Sequence, residues 1–175
     1  TNEFFVFTSL QEQNRHVVQT LPRIRRLATR WAIGKNRLEN KFDYSIEIDP
    51  ALEEENIFIP SMIIQPIVEN SIWHGIASIE EMGTIKIMFQ WFSSKSFKVI
   101  IEDNGIGMNT SREYTAKSSQ HTHLGMQIIQ KRLNLLSKKY KTETGITYLE
   151  QSPDHKHPGT AVEIIMPFIY SIDEF

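Results

Sequence analysis

Between residues 42 and 49 apolar and polar residues alternate. Phe42, Tyr44, Ile46 and Ile48 fall on one side of "FDYSIEID", and Asp43, Ser45 and Glu47 on the other. A period of two predicts a half-buried strand, here ended by Pro50. "TIKIMFQWF" and "SFKVIIED" read as two more strands, joined through "SSKS" as a hairpin. "GITYLEQ" and "TAVEIIMPF" add another two, linked by the turn-like "SPDHKHPG". Elsewhere the period is helical. "IPSMIIQPIVENSIWHGI" predicts a helix, with Pro60 and Ser61 suited to its start, Gly75 to its stop, and Pro66 near its beginning or at a kink. "HLGMQIIQKRLNLLSKKY" is amphipathic: Met126, Ile129, Leu133 and Leu136 share a face, and Lys138 and Lys139 suit the C-terminal end of the helix dipole. Val17, Val18, Leu21, Ile24, Leu27, Trp31 and Ile33 give a looser helical period, broken near Pro22.

The predicted order is helix, strand, helix, two strands, a long loop, helix, two strands. Strands in hairpins with helices between them predict an α+β fold, a two-layer α/β sandwich whose mixed, mostly antiparallel sheet is covered on one face by helices. Residues 104–121 are rich in Gly, Ser, Thr and Asn and show no apolar period, and a loop of that length in a compact domain is functional or disordered. Residues 1–41 read as a basic helical connector and 42–175 as the folded domain.

Composition narrows this little. The chain has 175 residues, 40% hydrophobic and 23% charged, as expected of a domain with its own core. A net charge of −2 gives no bulk attraction to polyanions. The basic run "RHVVQTLPRIRRLATRWAIGKNRLENK" has no aromatic platform or nucleic-acid motif, so it reads as the solvated face of a linker helix, and no nucleic-acid partner is expected. Absence of cysteine removes disulfides, thiolate metal sites and a cysteine nucleophile, and no apolar run reaches membrane-spanning length. The chain begins at Thr1 and is read as a piece of a longer protein.

The chemistry is concentrated in four places. In "QPIVENSIWHG", Glu69, Asn70 and His74 interrupt an otherwise apolar helix, and such groups are costly to bury without partners. "EDNGIGMN" ends a strand; Asp-Asn-Gly alone is an ordinary tight turn. "HLGMQ" puts Gly125 near a predicted helix start, where free N–H groups suit phosphate. "PGTAVEIIMP" opens a strand with Gly159 and Thr160.

In this order and spacing the four segments resemble the GHKL ATPase superfamily, with its Bergerat fold. More closely, they resemble the catalytic ATP-binding domain of sensor histidine kinases of the LytS/YesM type. "IPSMIIQPIVENSIWHGI" is similar to that family's N box, "VIIEDNGIGM" to its first glycine box, "HLGMQIIQKRL" to a weakened second one and "GTAVEIIMPF" to its closing strand. "RLENKFDYSIEID" is similar to the segment leading into the first strand, so the resemblance covers roughly residues 35–168.

The resemblance implies ATP and Mg²⁺ as cofactors. It implies that Asp103 accepts a hydrogen bond from the adenine amino group, with Thr160 supporting the same edge. Gly105 and Gly107 would let the backbone pass close to the nucleotide. Asn70 would give its side-chain oxygen to Mg²⁺, which prefers oxygen ligands. Glu69 would polarise a group near the γ-phosphate, and His74, one turn on from Asn70, would reach the phosphates. Residues 109–122 would form a lid over ATP, with Gly125 and Met126 at its far end beside the phosphates. The partners implied are a phosphoacceptor helix of the same protein within a homodimer, upstream of the connector, and a downstream response regulator. The implied setting is a cytoplasmic domain of a membrane-anchored protein, inactive as an isolated fragment.

Three positions depart from the family pattern. Trp73 stands where relatives carry Lys, His123 where the second box has its first glycine, and Ile128 where relatives often have Asn. They bear on lid closure and rate more than on binding, and they leave a second reading, a degenerate non-catalytic nucleotide-binding or scaffold module. The pairs His121/His123 and His155/His157 read as loop histidines without an acidic partner set, not a metal site, and His16 as a surface histidine. Phe89, Trp91 and Phe92 read as core and strand-face residues.

Overall fold

A computed structural model describes residues 19–20, 42–53, 55, 57–60, 63–107, 120–151 and 156–170. In chain order its elements are β1 (Gln19–Thr20), β2 (Phe42–Ile48), α1 (Pro50–Glu53), β3 (Phe58–Ile59), α2 (Ile64–Asn70), a π-helical turn (Ser71–Gly75), a 3-10 turn (Ile76–Ser78), β4 (Gly83–Ser93), β5 (Ser96–Asp103), α3 (Gln120–Tyr140), β6 (Gly145–Glu150) and β7 (Thr160–Pro167). β1 and β3 pair antiparallel. The other five strands form one sheet in the order β2-β4-β5-β7-β6, with β2 and β4 parallel and every other pair antiparallel.

Register explains which residues make the core. Ile87, Ile101, Val162 and Tyr148 lie side by side across four strands, and so do Phe89, Val99, Ile164 and Ile146. Paired residues share a face, so these rows stack into one apolar surface. Ile64, Ile67 and Val68 of α2 and Ile129 and Leu133 of α3 are buried in the same core. Each such side chain contributes about 1.5–3 kcal/mol relative to exposure. On the opposite face Lys86 pairs with Glu47 at 2.9 Å and Lys98 with Glu163 at 3.0 Å, both partly exposed. The helices therefore cover one face, as the α+β patterning predicts. The core-face row nearest one end of the sheet departs from the apolar rule: Ile85, Asp103 and Thr160 stand in register.

Several local expectations need correction. α2 begins at Ile64, with Ile63 at its N-cap and no side-chain cap, later than the start expected near Pro60 and Ser61; Ser61 lies outside the described residues. Pro66 sits in the first turn of α2, where its missing N–H costs nothing. Gly75 does not stop the helix outright, because the chain passes through the π-helical turn and then the 3-10 turn before Ile79 becomes extended. Pro50 ends β2 but also opens α1, where Asp49 Oδ1 accepts from the Ala51 N–H at 2.9 Å. Gln19–Thr20, placed within a helical period, is extended against β3. The remainder of the connector, residues 1–18 and 21–41, lies outside the described residues. α3 begins at Gln120, so the loop is shorter than its composition suggests, and residues 120–122 of the expected lid belong to the helix.

Candidate functional site

Asp103 ends β5 with its side chain on the helix-covered face, only 4% exposed. A buried carboxylate requires donors, and three are present. The Gly105 N–H donates to Asp103 Oδ1 at 2.9 Å, and the Ser71 hydroxyl and the Thr160 N–H also donate to this carboxylate. Burial still outweighs them and pushes the Asp103 carboxyl above its ordinary value. A carboxylate offers roughly four lone-pair positions, so three donors leave room for one more.

Glycines bring these groups together. A Cβ on Gly105 would lie 2.4 Å from the Gly75 carbonyl carbon and 2.5 Å from its Cα, so the first glycine-box turn and the end of the π-helical turn meet backbone to backbone. The Gly75 carbonyl accepts from Ile106 at 3.3 Å, and a Cβ on Gly75 would press on Asp103 Oδ1 at 3.0 Å. On the other side Gly159 (φ +68°) donates to the Gly105 carbonyl at 2.9 Å; any side chain there would strike the Asp103 carbonyl oxygen at 2.3 Å. Gly107 also has positive φ, at +77°. Asn104 plays a different part. Its Oδ1 accepts from the Thr84 N–H at 2.6 Å and its Nδ2 donates to the Met82 carbonyl at 3.1 Å, which fastens the start of β4 to the turn.

The α2 side is more open. Glu69, Asn70 and His74 are all half-buried. Glu69 Oε1 accepts from Gln65 Nε2 at 2.8 Å, one helical turn away. Asn70 Nδ2 donates to the Met126 thioether at 3.8 Å, and Tyr148 of β6 donates its hydroxyl to the same sulfur at 3.3 Å. Burial pushes the Tyr148 phenol up to about 12. Trp73 is 53% exposed and Ile128 45%, so both departures from the family pattern face solvent.

The structure therefore joins Asp103, Gly105 and Thr160 in one corner and brings Asn70 together with Met126. Gly125 does not stand where expected. It is the sixth residue of α3, so its N–H lies past the four free groups of a helix start, and a Cβ added to it would meet nothing within 4 Å. Residues 109–119 of the expected lid lie outside the described residues. Ser71 and Tyr148 were missed by sequence reading. Ser71 had a weak signal, a small hydroxyl residue beside Asn70 in an apolar run; Tyr148 had none, since an aromatic residue suits any strand. Sequence reading takes Gly75 only as a helix stop and Gly159 as the opening of the closing-strand motif, with no contact to Asp103 assigned to either.

The histidine pairs also change. His121 and His123 lie in the first turns of α3, not in a loop. His157 does have an acidic neighbour, with Nε2 3.1 Å from Glu81 Oε2, and Lys156 lies 3.5 Å from the same carboxylate. His16 and His155 lie outside the described residues. Phe89 is in the core, whereas Trp91 and Phe92 are more than 40% exposed, Trp91 meeting Phe168 at 4.9 Å between ring centroids. Among the described residues no helix is long and apolar enough to cross a membrane, and no group of three metal-binding side chains occurs.

No family model matches the chain. The sensor histidine kinase YpdA of Escherichia coli (strain K12) is 29% identical over 138 residues, which cover 78% of this chain and 22% of YpdA. The sensor histidine kinase/phosphatase LytS of Staphylococcus aureus (strain MRSA252) is 19% identical over 166 residues, 94% of this chain and 27% of LytS. The chain thus spans about a quarter of the length of these relatives. Among solved structures, the mycobacterial sensor histidine kinase MprB superposes with a TM-score of 0.58 at 14% identity, covering 88% of this chain and 98% of that one. Histidine kinase ThkA in complex with response regulator protein TrrA superposes with a TM-score of 0.53 at 17% identity, covering 96% of this chain and 47% of that one.

Proposed function

We propose that this chain, which has the histidine kinase catalytic-domain fold and sensor histidine kinases among its relatives, is the ATP-binding catalytic domain of such a kinase. The observation that carries the proposal is the Asp103 corner, where a buried carboxylate ends an otherwise apolar row, takes three donors, keeps one acceptor position, and is walled by glycine backbone. An acceptor-only group in a shaped, desolvated corner suits the exocyclic amino group of adenine and opposes the carbonyl that guanine presents there.

The rest of the site fits a magnesium nucleotide. Asn70 presents a half-buried amide at the α2 end, a hard oxygen donor of the kind Mg²⁺ takes. The chemistry that Mg²⁺–ATP supplies when bound is transfer of its terminal phosphoryl group, in which protein groups act mainly by positioning and charge stabilisation. Asp103 and Thr160 orient the base, Asn70 holds the metal end, Glu69 and His74 flank the phosphates, and Gly105 and Gly107 let the backbone pass close by.

The acceptor in this reading is a histidine on a helix outside this chain, within a homodimer, with a response regulator downstream. The whole protein is anchored in a membrane with this domain on the cytoplasmic side, and residues 1–41 connect the two parts. Because in-line positioning of the acceptor is indispensable, residues 1–175 alone do not label themselves. The test is titration of the chain with ATP, ADP and GDP, with and without Mg²⁺, followed by radiolabelled ATP on this chain and on one extended upstream. Adenine-selective binding with label only on the longer chain supports the proposal. No adenine binding overturns it. Binding without label on the longer chain favours a non-catalytic nucleotide module, the reading to which the solvent-facing Trp73 points.

A further inference from the structure

Met126 joins three elements at one atom. Its sulfur, on α3, accepts from Asn70 Nδ2 on α2 at 3.8 Å and from the Tyr148 hydroxyl on β6 at 3.3 Å. A thioether has lone pairs and no hydrogen, so it accepts and never donates. The edge of the Asn70 amide that faces it must be the NH₂, and the carbonyl oxygen must face the other way. The two edges of an asparagine amide are nearly identical in shape, so packing alone does not choose between them. A hard cation does choose, because it binds only the oxygen. The sulfur therefore supplies a selection that shape cannot. Tyr148 fixes the sulfur in turn: its ring lies on the core face beside Val162, and its hydroxyl reaches the thioether from the side of the sheet.

We propose that Met126 and Tyr148 are positioning residues for Asn70, with Tyr148 holding the thioether and the thioether turning the amide oxygen of Asn70 toward the Mg²⁺ of a bound nucleotide. The inference rests on the nucleotide reading above, but its first test does not need a ligand. In the nucleotide-free protein the side-chain NH₂ signals of Asn70, assigned by their loss in Asn70→Ala, shift in both Met126→Leu and Tyr148→Phe. Each substitution nearly keeps the side-chain shape while removing the thioether acceptor or the hydroxyl that donates to it. Signals that stay in place in both variants, with melting temperatures at the wild-type value, overturn the inference.

The second test is ATP titration in Mg²⁺ and in EDTA. Tyr148→Phe loses about two- to tenfold of the affinity gained from Mg²⁺, the size of one neutral hydrogen bond, and keeps wild-type affinity in EDTA. Combining it with Met126→Leu lowers the Mg²⁺ gain no further than Met126→Leu alone, as expected of one relay and not two independent contacts. A wild-type Mg²⁺ gain in Tyr148→Phe overturns the relay while leaving the nucleotide reading intact. Absence of ATP binding by the wild type defeats that reading instead, and the amide signals still decide whether the relay exists.

Discussion

The two ends of the site are built differently. At the Asp103 corner the carboxylate, Ser71 and the glycines are buried and Thr160 is half-buried, and the carboxylate is held several times over, by three donors and by glycine backbones in contact. At the Asn70 face the polar side chains are half-buried, and the contacts that hold them are a side-chain pair within one helix and a shared sulfur. The first end is preorganised, so recognition there costs little reordering. The second is looser, and on the proposed reading charged phosphates and a cation would complete it. On the proposed nucleotide reading, the base would be read at the first end and the reacting end left for other parts to close.

The substitution expected to have the largest effect is Asp103→Ala. It removes the acceptor proposed to face the base and leaves the Ser71, Gly105 and Thr160 donors without their shared partner. ADP affinity measured by calorimetry falls about a hundredfold or more while circular dichroism shows a retained fold. A folded variant with wild-type affinity would break the comparison, since the tightly built corner would then not be where the base is read. Next comes Gly105→Ala, whose methyl meets the Gly75 backbone at 2.4 Å, contact that no side-chain rotation relieves. Overpacking of this kind costs about 1–3 kcal/mol, read as a drop in melting temperature of roughly 2–4 °C per kcal/mol for a domain of this size.

Much of this was legible in the sequence. The period-two runs located β2 and β4 to β7, and the face of Met126, Ile129, Leu133 and Leu136 located α3, because burial on one side leaves a periodic imprint. Asp103, Asn70 and Thr160 stood out through their motifs. What escaped was set by contacts between segments distant in the chain. Ser71 matters because β5 ends beside it, and Gly75 matters because Gly105 rests on its backbone. Neither relation has a local period. Gly125 misled for the converse reason: a glycine before an amphipathic run looks like a boundary, yet α3 extends five residues further back.

At the looser end, Asn70→Ala removes the amide oxygen assigned to Mg²⁺ and leaves the Asp103 corner untouched. The Mg²⁺-dependent gain in ATP affinity falls about tenfold, while affinity in EDTA stays near that of the wild type. An undiminished Mg²⁺ gain would remove Asn70 as the metal ligand. Gly125→Ala has a smaller effect and the opposite sign. Open space surrounds this glycine inside a helix, so alanine stabilises the fold by about 0.5–1 kcal/mol and raises the melting temperature. Weaker ATP binding in this variant would show that the backbone at Gly125 approaches the phosphates after all.

The smallest effect separates charge from shape at the Asp103 corner. Burial raises its carboxyl above the ordinary value near 3.8, so the folded chain holds that proton more tightly than the unfolded chain does. Between the ordinary value and the raised one, the folded state carries more protons. Stability therefore falls as pH rises through this window, is highest below it, and is flat above it once both states have lost the proton. Asp103→Asn is neutral throughout, so the difference in urea unfolding free energy between wild type and variant isolates this one group. The difference moves in favour of the variant as pH rises. Base recognition runs the other way: only the charged carboxylate is a pure acceptor, so wild-type ADP affinity rises through the same window. Opposite slopes for stability and binding are the signature of a carboxylate kept buried at a cost to the fold and used by the ligand. Parallel slopes would mean that Asp103 serves the fold and not the base.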